Sequence, residues 1–371
     1  MNTSHKALFV AATGQHVGKT TICLGLVSGM QKRFANVGFM KPVGQEHVKT
    51  SRGLHVDKDV VLFKEYFHLK SSEECMSPVL FPQGFTRDYL DGKIEHEAML
   101  EKITKAYRDI ADSNDITIVE GTGHCGVGSI VNLNNAQAAA LLNIPIIIVA
   151  SGGLGSSFDE LALNWILCQQ TGAKVAGIIL NRVLPEKREM IETYMKKALS
   201  RWNIPLLGCI PYDAFLSNPS MQDFEALFDT TLLSGKRHHM RHFRTIRLVA
   251  TSAEDFQELL GPSQLIITPA IREDIIFATL AKYRSFRAHN PSADLEAGMI
   301  LTGEHPPRPE LIQKLNEADI PMLYAPVGSY IAMKKITSFT AKIRQEDIEK
   351  IKEAVTLVEE NIDFDQLTSL L

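Results

Sequence analysis

A chain of 371 residues, 45% apolar and 22% charged, is long enough to bury two cores and has the make-up of an ordinary globular protein. Its formal net charge of −4 gives no general attraction for nucleic acid, and the lack of any run of about 18 uninterrupted apolar residues argues against a membrane span. The opening MNTSHKALFVAA lacks the apolar core of a secretion signal, and the five cysteines are odd in number and widely spaced. Neither a disulfide framework nor a metal knuckle is therefore expected, and cytoplasm is the expected compartment.

In chain order, KALFVAA at 6–12 reads as a strand, and TTICLGLVSGMQKRF at 20–34 has helical spacing of its apolar positions. NVGFMKPVG at 36–44, ITIVEG at 116–121, IPIIIVAS at 144–151, KVAGIILNRV at 174–183 and LLGCIPYD at 206–213 are further strand candidates. Residues 135–143 and 158–170 are predicted helices. Near-continuous Ile and Val in the strands suits a parallel sheet covered on both faces, so the fold class is an α/β open parallel sheet.

SGKRHHMRHFR at 234–244 is basic and poor in aliphatic residues, and reads as a solvated linker. His238, His239 and His242 have no acidic or cysteine partner nearby in sequence and are left without a metal role. IRLVATS at 246–252, SQLIITP at 263–269, AGMILTG at 297–303 and IPMLYAP at 320–326 then restart the strand pattern, with helices over 274–283 and 308–317. The amphipathic stretch 343–362 reads most simply as a packed terminal helix, or as an apolar face for oligomerisation. The expected division is residues 1–230, a linker at 231–244, and a second, smaller α/β domain over 245–371.

ATGQHVGKTT at 11–20 joins the first strand to the first helix. A bound phosphate needs converging backbone amides, a helix N-terminus and a nearby cation. Gly14 and Gly18 permit a tight path, Lys19 can reach terminal phosphates, and Thr20 offers an oxygen to Mg²⁺. Ala12 replaces the usual first glycine, which matters if that position needs φ > 0. The bland alternative is a strand–turn–helix with a solvated lysine. Glu120 ends a strand, where a carboxylate faces the crevice in which sheet ligands bind, and it can hold Mg²⁺. Asp57 and Asp59 precede an apolar helix; either could complete a metal shell, with helix capping favoured for Asp57. Lys41, in FMKPVG, could neutralise charge on a transferred phosphoryl group or be a surface lysine. Asn181 could meet a purine edge or cap the next turn.

The order ATGQHVGKT, MKPVG, VDKDVVL, IVEGTGHCG, AGIILNRV and LLGCIP resembles the dethiobiotin synthetase-like branch of P-loop proteins over roughly residues 5–225. That branch includes the cobyrinic and cobyric acid amide-forming enzymes and the N-terminal domain of long bacterial phosphate acetyltransferases. The resemblance implies a P-loop NTPase-type fold with ATP and Mg²⁺ as cofactors. It implies that Thr13, Gly14, Val17, Gly18, Lys19, Thr20 and Thr21 hold the nucleotide and that Asn181 recognises its base. Thr20, Asp59 and Glu120 would then bind the metal, and Lys19 and Lys41 would act on the phosphoryl group. A homodimer is expected by resemblance. Gly14 stands where the dimer-switch ATPases place a signature lysine, so the chain does not resemble those.

Several residues depart from dethiobiotin synthetase itself. Gln15 and His16 replace its usual loop residues, and GTGHCGVGSIVNLNNAQ lacks its tryptophan-containing stretch. His124 and Cys125 in that segment read as turn fillers, Cys125 having no paired base at a diagnostic spacing. SQLIITPAIREDIIFATLAK, AGMILTGEHPPRPELI and IPMLYAPVGSYIAMKKI resemble the DRTGG domain of long phosphate acetyltransferases, although the name motif is poorly preserved. Thr268, Arg272 and Thr302 could form an anion-binding rim there or be solvated loop residues. The chain ends before an acetyl-transfer domain could begin, so a complete phosphate acetyltransferase is not expected. Two functions stay open: ATP-dependent phosphorylation of a carboxylate or carbamate for C–N bond formation, and nucleotide binding without metabolic turnover, sensed by the second domain.

Overall fold

The computed structural model describes residues 5–290, 293–339 and 341–371; of the opening stretch read above, residues 1–4 lie outside these. The chain divides into two compact units, one comprising the residues up to Tyr212 together with Ile343–Leu371, the other Asp213–Lys342.

The first unit is built on strands β1 (Lys6–Ala12), β2 (Val37–Met40), β3 (Ile116–Glu120), β4 (Ile146–Ser151), β5 (Val175–Val183) and β6 (Leu206–Pro211), all parallel, in the order β6-β5-β4-β1-β3-β2. Helices α1 (Lys19–Gln31), α2 (Lys58–Tyr66), α3 (His96–Ala111), α4 (Asn135–Leu142), α5 (Gly155–Thr171) and α6 (Arg188–Leu199) connect or flank them. Leu8 to Ala12 and Ile146 to Ala150 are fully buried, which is why these strands read as unbroken apolar runs. Strand order reverses about β1, so the loop after it opens at a topological switch point. The sequence reading missed α3, although Met99, Ile103, Ala106 and Ile110 form its buried stripe.

The second unit carries α7 (Met221–Phe228), α8 (Ala253–Leu259), α9 (Glu273–His289), α10 (Pro309–Glu317) and α11 (Ser329–Ser338) around a mixed sheet. Its strands are β7 (Leu232–Ser234), β8 (Thr245–Leu248), β9 (Gln264–Pro269), β10 (Gly298–Thr302) and β11 (Met322–Ala325), in the order β7-β11-β10-β9-β8. Strands β8 to β11 are parallel and β7 is antiparallel to β11. Two apolar clusters cover the two faces, one around Phe256, Ile275 and Met299, the other around Phe224, Phe243 and Ile300.

The expected boundaries need two corrections. Residues 231–244 are no linker: β7 pairs into the sheet, Phe243 is 1% exposed in the core, and Arg241 is paired with Asp294. His238 meets Asp319 at 2.8 Å. Arg237, His238 and Arg241 are thus spent on carboxylates from other segments, which composition does not reveal.

The chain after the second unit also does not stay with it. Helix α12 (Ile348–Glu359) packs along α1, and α13 (Phe364–Ser369) packs on β6 and reaches α1 through Phe364. A Cβ on Gly25 would lie 2.3 Å from Val358 Cβ, and one on Gly29 would lie 2.2 Å from Phe364 Cζ. Glycine is needed at both positions because the helices approach so closely. Ile362 bridges Gly208 on the edge strand β6, and Asp363 donates to the Leu207 carbonyl at 3.0 Å. Among the described residues no helix is long and apolar enough to cross a membrane.

Candidate functional site

The loop 13–18 leaves the C-terminal end of β1 and enters α1. Ala12 is the last residue of the strand, paired with Val149 of β4, and is absent from the left-handed backbone positions. Its methyl therefore costs the loop nothing, which answers the question raised by the missing glycine. The left-handed positions are instead His16, with φ 59°, and Gly18, with φ 99°. Gly18 is required twice over, since a Cβ there would also sit 2.2 Å from Asn181 Nδ2. Gly14 takes no such conformation, and a Cβ on it would meet only Val17 Cγ2 at an ordinary 3.5 Å.

Asn181, 5% exposed at the end of β5, donates from Nδ2 to the Val17 carbonyl at 2.7 Å. The side chain read from sequence as a base contact or turn cap thus braces the loop. Thr13 is held from the other side. Its hydroxyl donates to Glu160 at 3.2 Å, and Asn164 donates to its carbonyl at 3.3 Å. Lys19, Thr20 and Thr21 form the first turn of α1, which has no acidic residue and whose N–H groups lack intrahelical partners. That turn suits an anion.

Behind the loop lies a charged cluster. Lys19 Nζ donates to the Gly123 carbonyl at 2.5 Å, and Thr20 Oγ1 donates to Glu120 Oε1 at 2.9 Å. Lys41 Nζ meets Asp57 Oδ1 at 3.0 Å and is also ion-paired with Asp59 Oδ2. Asp57 caps α2, accepting the Asp59 N–H at 3.0 Å, as a helix cap should, while still touching Lys41. All three carboxylates and Lys41 are buried. Burial pushes the Glu120 carboxyl up to about 7, against the pull of Lys41, Lys19 and the Thr20 hydrogen bond. Burial likewise raises Asp57, with Lys41 opposing it, and lowers Lys19, with Glu120 opposing it. For Lys41, burial works downward, but Asp59, Glu120 and Asp57 outweigh it and hold the ammonium charged.

Two buried oxygens in this cluster, Glu120 Oε2 and Asp57 Oδ2, have no hydrogen-bond partner. Three carboxylates face two ammoniums, and orphaned anionic oxygens are costly unless a cation completes them. The donor set of hydroxyl and carboxylate oxygens is the kind that hard divalent cations such as Mg²⁺ take. Among the described residues, however, no group of three or more His, Cys, Asp or Glu side chains is gathered as a ready-made metal centre.

Other sequence candidates fall outside the cluster. His124 Nδ1 accepts the Gly126 N–H at 3.1 Å and fills its turn. Cys125 is fully buried, and a hydrogen bond with Cys168 together with burial holds its thiol well above the usual range, unlike a nucleophile. In the second unit Arg272 is committed to Asp274 at 2.7 Å and to the Thr251 carbonyl at 3.0 Å, while Thr302 Oγ1 pairs with Ser329 Oγ at 2.6 Å. Of the expected anion-binding rim, Arg272 and Thr302 thus have partners of their own, while the buried Thr268 Oγ1 has none.

Comparison with known proteins bears on the same two units. The AAA domain family model AAA_26 matches residues 6–220, more than half of the chain, and a DRTGG domain matches residues 226–339. The chain belongs to this AAA domain family. Its first unit has a P-loop NTPase-type fold, and the second α/β unit carries the DRTGG match. The phosphate acetyltransferase of Synechocystis is 26% identical over 98% of this chain and 52% of its own length. That of Pseudomonas aeruginosa is 28% identical over 97% of this chain and 51% of its own. The chain therefore spans about half the length of the curated relatives it matches. The cobyrinic acid a,c-diamide synthase of Mycobacterium smegmatis, solved with an ATP analog and magnesium, is 15% identical, over 56% of this chain and 88% of that one. Its TM-score is 0.38, too low to say more of this chain.

Proposed function

We propose that the first unit binds Mg-ATP in the loop 13–21. The observation that carries this reading is the buried cluster behind the loop, where Lys19 and Lys41 face three carboxylates and Glu120 Oε2 has no partner. Lys19 would anchor the terminal phosphates, with Thr13, Gly14, Val17, Gly18, Thr20 and Thr21 lining the loop. Thr20, Asp59 and Glu120 would hold Mg²⁺, which when bound neutralises charge on the phosphate oxygens. Asn181 keeps the loop in shape from beneath. Fixed ammoniums at Lys19 and Lys41 suit phosphoryl transfer to a carboxylate or carbamate, a chemistry of positioning and charge rather than covalent catalysis.

A second reading has its own support. The likeness to half of the phosphate acetyltransferases runs through both units, which favours a nucleotide-binding regulatory module. A homodimer is proposed, with Leu90, Ile130, Leu163 and Ile166, 50–72% exposed on the first unit, as candidate contact residues.

Calorimetric titration of the full chain with Mg-ATP tests the binding, with Lys19→Ala as control. Loss of a charged contact worth about 1.5–3 kcal/mol should weaken binding roughly 10- to 100-fold with the fold retained. Equal affinity in the variant sinks the reading. Phosphate release in the presence of small dicarboxylates or diamines would favour the transferase reading, and binding without release the regulatory one.

A further inference from the structure

Lys41 stands in the midst of the carboxylates that a divalent cation would need. Its side chain is 9% exposed, and its ammonium bridges Asp57 and Asp59. The two carboxylates differ in what else holds them. Asp57 is fixed, its own N–H bonded to Ser77 Oγ at 3.0 Å and its Oδ1 accepting the Asp59 N–H. The Asp59 carboxylate, on the first turn of α2, has Lys41 as its hydrogen-bond partner. On the opposite side, Thr20 and Glu120 satisfy each other through one oxygen and leave Oε2 open. A divalent ion taking Asp59 and Glu120 would lie within a few ångströms of the Lys41 ammonium in a water-poor pocket, where like charges repel strongly.

We infer that Lys41 is a resident stand-in cation: it competes with the divalent ion for Asp59 and is released from that carboxylate, with Asp57 as its remaining tether, when the metal enters. Metal entry and the freeing of a cationic side chain are then one event. An ammonium is supplied to an anionic ligand only when the metal is present, and metal alone binds weakly because it must displace Lys41. The inference rests on reading Asp59 and Glu120 as metal carboxylates, and it does not depend on nucleotide.

The test uses the full chain and Mn²⁺ alone, with free Mn²⁺ followed by electron paramagnetic resonance. Lys41→Met should bind Mn²⁺ at least tenfold more tightly than the parent, and adding Asp59→Asn should abolish the gain. Equal or weaker affinity in a Lys41→Met protein with unchanged circular dichroism overturns the inference, as does an absence of Mn²⁺ binding in both proteins. Should the variant fail to fold, the parent chain still decides. Acetylation by an N-hydroxysuccinimide ester, read by peptide mass spectrometry, should modify Lys41 several-fold more with saturating Mn²⁺ than without it. Lys32, 63% exposed, serves as the unchanged internal control. No rise at Lys41 overturns the proposal. Neither assay contains nucleotide, so a failure of Mg-ATP binding would sink that reading and leave these results standing.

Discussion

Gly29→Ala sets two magnitudes of opposite sign against each other. Alanine in a helix interior is favoured over glycine by about 1 kcal/mol. The new Cβ would, however, lie 2.2, 2.3 and 3.0 Å from three atoms of the Phe364 ring. That ring is 5% exposed, lies under the Arg33 guanidinium at 4.6 Å, and follows Asp363, whose N–H is tied to β6. It has little room to withdraw, so overpacking should cost the upper part of the usual 1–3 kcal/mol, leaving a net loss of about 1–2 kcal/mol. Phe364→Ala alone should cost about 3–4 kcal/mol and empty the space. In that background Gly29→Ala should change sign and stabilise by about 1 kcal/mol, a coupling of about 2–3 kcal/mol in the double-mutant cycle. Urea unfolding followed by tryptophan fluorescence reads the right unit, because Trp165 and Trp202, stacked at 4.6 Å, both belong to it. A Gly29→Ala protein more stable than the parent would refute the close docking of the terminal helices on α1.

Two further outcomes follow from the site. The Glu120 carboxyl is raised from 4.5 to about 7, so the metal-free fold prefers the protonated acid. That preference contributes fully below pH 4.5 and is lost as pH rises through about 7. Glu120→Gln should therefore raise the urea midpoint over the parent more at pH 8 than at pH 4.5; an equal difference at both would count against the buried acid. Asn181→Ala strips the Val17 carbonyl of its donor, and should cost about 1–2 kcal/mol and weaken Mg-ATP binding several-fold in calorimetry. Unchanged stability and affinity would show that the loop does not rely on this brace.

What was legible in the sequence is what neighbouring residues determine. Apolar runs with turn residues between them mark the strands of the first sheet and all but the short β7 of the second, and Lys19, Thr20, Lys41, Asp59 and Glu120, collected from strand ends and a helix start, lie together in the cluster. What was not legible depends on partners distant in the chain. Whether Ala12 harms the loop turned on where β1 ends. Asn181 meets a carbonyl 164 positions away. The basic run 234–244 looked solvated because Asp294 and Asp319, which pair with Arg241 and His238, come from other segments.

The return of residues 343–371 to the first unit leaves a trace in the sequence of α1. KTTICLGLVSGMQ is apolar all round, and a helix of that kind must be covered on more than the sheet face. Gly25 and Gly29 lie one helical turn apart and so share a face, where two missing side chains weaken the helix unless another backbone comes close. Such a face calls for bulk from another segment, and Val358 at the end of α12 and Phe364 at the start of α13 supply it. The helix that begins at Lys19 is thus packed against the sheet on one side and against the end of the chain on the other. Its position, and with it that of the first-turn N–H groups, is set by both. The prediction for Gly29 accordingly bears on the loop as well as on stability, because any shift of α1 moves Lys19 and Thr20 relative to Glu120.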